Sequence, residues 1–69
     1  MNATLNPETV KGLDLATLFF VRADLTATVA AQEGIARAHG DNAAPKLGRY
    51  TDELHAVAGE IRRRQNSVG

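Results

Sequence analysis

The stretch from Leu13 to His39 holds no proline and one glycine, and its apolar residues fall into two separate helical stripes. One stripe is built of large side chains, Leu18, Val21, Leu25 and Ile35, interrupted by Thr28 and Gln32. The other is mostly small: Ala16, Phe20, Ala23, Ala27, Ala30, Ala31, Gly34 and Ala38. Phe19 and Val29 widen the apolar surface further. A helix that is apolar around so much of its circumference is buried on more than one side.

The remainder of the chain supplies one packing partner. Gly40 ends the first helix at a residue suited to a left-handed C-terminal cap. Residues 40–45, Gly-Asp-Asn-Ala-Ala-Pro, form a turn-rich connector of the length that joins antiparallel helices. The next pattern predicts a second helix over about 46–65. Its apolar residues, Leu47, Tyr50, Leu54, Val57 and Ile61, recur at spacings of three and four and make one narrow seam. Arg49, Asp52, Glu53, Glu60 and Arg63 occupy the other side, which reads as a solvated face. Arg62, Arg63 and Arg64 complement the negative end of the helix dipole, and residues 66–69 read as a frayed tail.

Upstream, Asn6 can cap a helix start and Pro7 sits at its first position, where a missing N–H costs nothing. Glu8 adds negative charge to the first turn, and Leu5 and Val10 stand at the two positions of a hydrophobic staple. A short turn over Pro7–Lys11 is expected, bent near Gly12 because glycine inside a helix costs about 1 kcal/mol relative to alanine.

One narrow seam covers one stripe, so the first helix needs a second cover. The chain has 69 residues, enough for a single domain spanning 1–69. A chain of this size removes only about 60% of its unfolded surface from water. Disulfides and cysteine-based zinc sites are excluded because there is no cysteine. Oligomerisation is the remaining remedy. The expected fold is therefore all-α: an antiparallel helical hairpin, helix 13–39 and helix 46–65, that pairs with a second copy into a homodimeric four-helix bundle. Which stripe serves the hairpin and which the dimer stays open.

Lysine plus arginine number 8 and aspartate plus glutamate 8, giving zero net charge. Nucleic-acid binders usually carry an excess of positive charge, so direct nucleic-acid binding is disfavoured. The longest strongly apolar run, Leu15–Val21, is far shorter than the roughly 20 residues that span a bilayer. No basic n-region precedes an apolar stretch at the N-terminus. The expectation is a cytoplasmic protein with no membrane partner.

Reactive groups are few. Neither His39 nor His55 stands at a recognised spacing from a nucleophile, and the one serine is Ser67. His39 at a helix end is explained by its interaction with the last carbonyls. Asp52-x-x-His55 echoes the acid-x-x-His spacing of carboxylate-bridged metal bundles, yet Glu33 is the only inward candidate below Asp24 on the first helix. No glycine pattern makes a phosphate cradle. Three arginines at a helix end are explained by dipole and solubility. A helix-turn-helix uses shorter helices and normally a third one, and Tyr50 on the seam reads as core with its hydroxyl at the edge. The chain reads as a non-enzymatic protein-binding module without cofactor or metal.

The stretches NPETVKGLDLATLFFVRADL and KLGRYTDELHAVAGEIRRR, with the two-helix layout and the length, resemble the small early proteins of temperate phages that disarm host regulators, among them anti-quorum-sensing proteins of Mu-like Pseudomonas phages. The resemblance implies a homodimeric helical inhibitor acting in the host cytoplasm. It would bind a LuxR-type transcription activator at its DNA-binding domain and block DNA binding. A second target in type IV pilus assembly is implied too. A DNA-binding domain presents a basic surface, which Asp52, Glu53 and Glu60 could occupy while Arg49 and Arg63 meet acidic residues on its rim. These five are the expected partner-binding residues. The alternatives are that this face is only solvated, that the bundle is a structural scaffold or assembly adaptor, or that the arginine end binds nucleic acid.

Overall fold

A computed structural model describes residues 5–67, and every regular element among them is helical. A short helix α1 (Pro7–Val10) precedes the two long helices α2 (Leu15–His39) and α3 (Leu47–Ser67). A single 3-10 turn, Asp41–Ala43, lies in the connector. The two long helices pack side by side as a hairpin, and α1 lies against α3. The molecule is a flat body of 44 × 28 × 15 Å.

Each boundary has a local cause. Asn6 Oδ1 accepts from the backbone N–H groups of Glu8 at 2.9 Å and Thr9 at 3.0 Å. Thr9 Oγ1 accepts in return from the Asn6 N–H at 2.9 Å, completing a capping box. Leu5 and Val10 flank this cap and both join the core, as the staple requires. The Gly12 and Leu13 N–H groups donate to the carbonyls of Thr9 and Val10, closing the turn. α2 starts at Leu15 rather than Leu13 because Asp14 is its cap: its Oδ1 accepts from the Thr17 N–H at 2.9 Å. Those hydrogen bonds hold the Asp14 carboxyl below its usual range.

Gly40 ends α2, but not in the left-handed helical region. Its φ of 95° and ψ of 161° lie in the extended region that glycine alone enters without strain. Its N–H still donates to the Ala36 carbonyl at 2.8 Å. At the far end α3 continues to Ser67, two residues past the expected end at Gln65, and Ser67 Oγ donates to the Arg64 carbonyl. The remaining two residues of the expected tail, Val68 and Gly69, lie outside the described residues.

The core holds Val10, Leu18, Leu25, Val57 and Ile61, with Leu5, Leu13, Val21, Tyr50, Leu54 and Ala56 packed around it. The stripe of large residues therefore serves the hairpin, joined by Val29. Ile35, at the far end, is 38% exposed. Two expectations change. The fold is not a bare two-helix hairpin, because the N-terminal arm forms a third wall and buries Val10 to 1% exposure. On α3 the seam shifts toward that arm, leaving Leu54 half-buried while Val57 is fully enclosed.

Candidate functional site

The five residues expected on one solvated face of α3 do not share an environment. Glu53 and Glu60 are buried, at 7% and 5% exposure. Asp52, Arg49 and Arg63 remain at the surface. The correction follows from helix geometry: Glu53 precedes Val57 by four residues and Glu60 follows it by three, so both flank the core position. What covers them is the N-terminal arm, residues 5–13, packed against α3.

Both carboxylates work inside the molecule. Glu53 Oε2 accepts from the Leu5 N–H at 3.4 Å and pairs with Arg49 Nε at 3.5 Å. Glu60 accepts from Arg63 through both oxygens, at 3.0 and 2.6 Å, and from Arg64 Nε at 2.7 Å. The Arg63 hydrogen bonds first, then those of Arg64, pull the Glu60 carboxyl down to about 2. The same pairing raises the Arg63 guanidinium. Arg64 also donates through Nη2 to the Lys11 carbonyl at 3.1 Å and the Val10 carbonyl at 3.4 Å. Glu53 thus holds the start of the arm and Glu60, through Arg64, holds its end. The sequence carried a signal for this in the pairs Arg49–Glu53 and Glu60–Arg64, each four residues apart.

A shallow groove of about 260 Å³ runs between α1 and α3, floored by Val10, Ala56 and Gly59 and edged by Lys11, His55 and Arg63. Among the described residues no three His, Cys, Asp or Glu side chains gather as a metal would require. No described helix is long and apolar enough to cross a membrane.

The surface that stands out is the back of α2. At 3.6 residues per turn, Ala16, Phe20, Ala23, Ala27, Ala31, Gly34 and Ala38 point within about 40° of the direction opposite Leu18, Leu25 and Val29. None of these seven carries a charge or a polar side chain. All but half-buried Gly34 are exposed, and Phe20 reaches 74%. The flanks of α2 between this face and the core hold its other short-range contacts. Arg22 lies over the Phe19 ring, 5.2 Å from its centroid. The hydroxyls of Thr26 and Thr28 donate to carbonyls of their own helix, at 2.7 and 2.9 Å.

Gly34 adds a second sign. A Cβ built there meets nothing within 4 Å. No contact inside the chain therefore requires a glycine at this helical position, where it costs about 1 kcal/mol relative to alanine. The same open space surrounds Gly48 and Gly59 on α3, so Gly34 marks room for a close approach from outside and not a need for one. The chain can thus offer an apolar, uncharged face for a second helix to pack on, and it lies on the stripe that the hairpin left unused. Compared with protein-family models, curated proteins and solved structures, the chain matches none.

Proposed function

We propose that this protein is a non-enzymatic protein-binding module whose working surface is the outer face of α2. The observation that carries the reading is a run from Ala16 to Ala38 with no charged residue on the face opposite the core. A solvated helix alternates charges over such a distance. Burying an exposed phenylalanine such as Phe20 contributes about 1.5–3 kcal/mol, so leaving it in water forgoes a gain that a partner recovers.

The working form is a homodimeric four-helix bundle, two hairpins joined through their α2 helices. The resemblance to phage inhibitors of host regulators extends this reading to a target: the DNA-binding domain of a LuxR-type activator, with a pilus-assembly factor as a second. In that arrangement the outer edges of α3 stay free, with Arg49, Asp52, His55 and Arg63 available to the target. Glu53 and Glu60 leave the contact set because the arm occupies them, so the contact no longer rests on an acidic face.

A purified LuxR-type activator, bound to a fluorescent copy of its DNA site and titrated with this protein, tests the inhibitor reading by anisotropy. Release of the DNA supports it, and unchanged anisotropy across such activators removes it. Sedimentation equilibrium tests the bundle separately. A mass of twice 7.4 kDa supports it, a monomer at high concentration removes it, and open-ended assembly favours a scaffold.

A further inference from the structure

We infer that residues 5–13 form a strap that opens as one unit while the α2–α3 hairpin stays folded, and so controls access to the side of the core between Glu53 and Glu60. The division falls at Gly12–Asp14, and packing, capping and charge all respect it.

The strap is ordered only while it is seated. α1 has four residues, and one helical turn does not hold its shape alone in water. Of residues 5–13 only Val10 is buried; Leu5 and Leu13 are half-buried and the other six are exposed. The hairpin does not lean on the strap in the same way. Asp14 caps α2 through the Thr17 N–H, on the α2 side of the division, so that helix keeps its start when the strap lifts. Val29 of α2 is buried outside the cluster that Val10 joins.

Charge pairing follows the same division. Among the described residues every ion pair stays on one side of it: Glu8–Lys11 within the strap, and Arg49–Glu53, Glu60–Arg63 and Glu60–Arg64 within α3. Opening therefore separates no ion pair. It breaks hydrogen bonds to the strap backbone, from the Leu5 N–H to Glu53 at 3.4 Å and from Arg64 to the Val10 and Lys11 carbonyls at 3.4 and 3.1 Å. Water can satisfy each of those backbone groups. Glu53 and Glu60, both buried, meanwhile regain the hydration that a carboxylate loses on burial even when it is paired. Against this stands the burial of one valine and parts of two leucines. A segment with so few buried apolar contacts and so much exposed backbone opens below the free energy of global unfolding.

The two forms differ in what α3 presents. With the strap seated, Val57 is fully enclosed. With it lifted, that step of α3 meets water, with a carboxylate one turn away on either side.

Native-state hydrogen exchange on the whole chain, followed residue by residue by NMR at rising sub-denaturing urea, separates the two openings. The Val10 N–H, bonded to the Asn6 carbonyl at 3.1 Å, and the Leu13 N–H, bonded to the Val10 carbonyl at 3.2 Å, report on the strap. The amides of Val29 and Val57, inside α2 and α3, report on the hairpin. Val10 and Leu13 should share one protection factor, about tenfold or more below that of Val57 and with a shallower urea dependence. Gly59→Ala, where the added Cβ meets nothing within 4 Å, strengthens α3 in the closed and open forms alike. It should slow exchange at Val57 by about two- to fivefold, the helix-propensity difference, and leave Val10 and Leu13 unchanged. If Val10 and Leu13 match Val57 in the parent, or slow with it in Gly59→Ala, strap and hairpin open together and the proposal falls. An unprotected Val10 beside a protected Val57 overturns it too, because the strap is then not seated.

Discussion

Glu60 and Arg64 form the clasp that closes the N-terminal arm onto the hairpin. Glu60 Oε2 accepts from Arg64 Nε at 2.7 Å, and the far side of the same guanidinium donates to the carbonyls that end α1. The Val10 carbonyl also accepts the Leu13 N–H, so the arginine adds a second donor there and supplies one to the Lys11 carbonyl at the end of the arm. The carboxylate fixes the arginine, the arginine fixes the arm, and the arm brings Val10 into the core.

The clasp makes stability fall in acid. An ordinary glutamate titrates near 4.5 and Glu60 near 2. Because the folded value is the lower one, the stabilisation is fully present above about pH 5. It is lost as the pH drops from 4.5 through 2. Asp14 is lowered as well and acts in the same direction. Thermal melts followed by circular dichroism between pH 7 and 2 should show Tm falling across that window. Glu60→Gln should lower Tm at pH 7 and flatten the fall, leaving the Asp14 share. A variant with the same acid response as the parent would show that the clasp contributes nothing.

Core truncations should rank by burial rather than by place in the seam pattern. Leu18 and Ile61 are at 0% and 1% exposure, so Leu18→Ala or Ile61→Ala should cost about 2–5 kcal/mol. Leu54, central in the sequence pattern, is only half-buried and should cost less when cut to alanine. Urea midpoints on the three variants measure the order. Equal losses at Leu54 and Leu18 would mean that the arm does not shift the core.

Most of the helical layout was legible in the sequence because its causes are local. The cap at Asn6, the staple of Leu5 and Val10, the stop at Gly40 and the stripe of Leu18, Val21 and Leu25 on α2 all follow from spacing and residue chemistry. The arm's docking was not legible, since it depends on contacts between residues about fifty positions apart, Leu5 with Glu53 and Lys11 with Arg64. Periodicity put Glu53 and Glu60 outside because they are charged. Only the packed arm makes them inside residues, with arginines to neutralise them. The candidate face, by contrast, stood in the sequence from the start as a second stripe, and packing decided which stripe was left over.

Gly40 is the one described residue with positive φ, at 95°. Gly40→Ala should destabilise the fold by about 1–3 kcal/mol, the cost of holding a side chain in a sparsely populated backbone region. Open space around the position, where a Cβ meets nothing within 4 Å, makes the backbone the whole cause. A thermal or urea comparison with the parent measures it. A neutral result would place the connector in another conformation in solution.

Gly34 and Gly59 together separate a glycine kept for a partner from one that is merely tolerated. Both lie inside long helices, and at both an added Cβ meets nothing within 4 Å. In the isolated chain each should therefore gain from alanine by about 0.5–1 kcal/mol, the difference in helix propensity. Gly59→Ala should show that gain at every protein concentration, because a bundle joined through the two α2 helices keeps Gly59 of α3 away from the join. Gly34→Ala should show it only in dilute solution, where the chain is single. If the bundle is joined through this face, the added methyl would stand at the join, and the advantage should shrink or reverse as concentration rises. Urea denaturation at two widely separated concentrations reads the stability, and sedimentation equilibrium reads the association. If Gly34→Ala gains equally at both concentrations and associates as tightly as the parent, no helix approaches closely at that position, and the proposed bundle is not joined through this face.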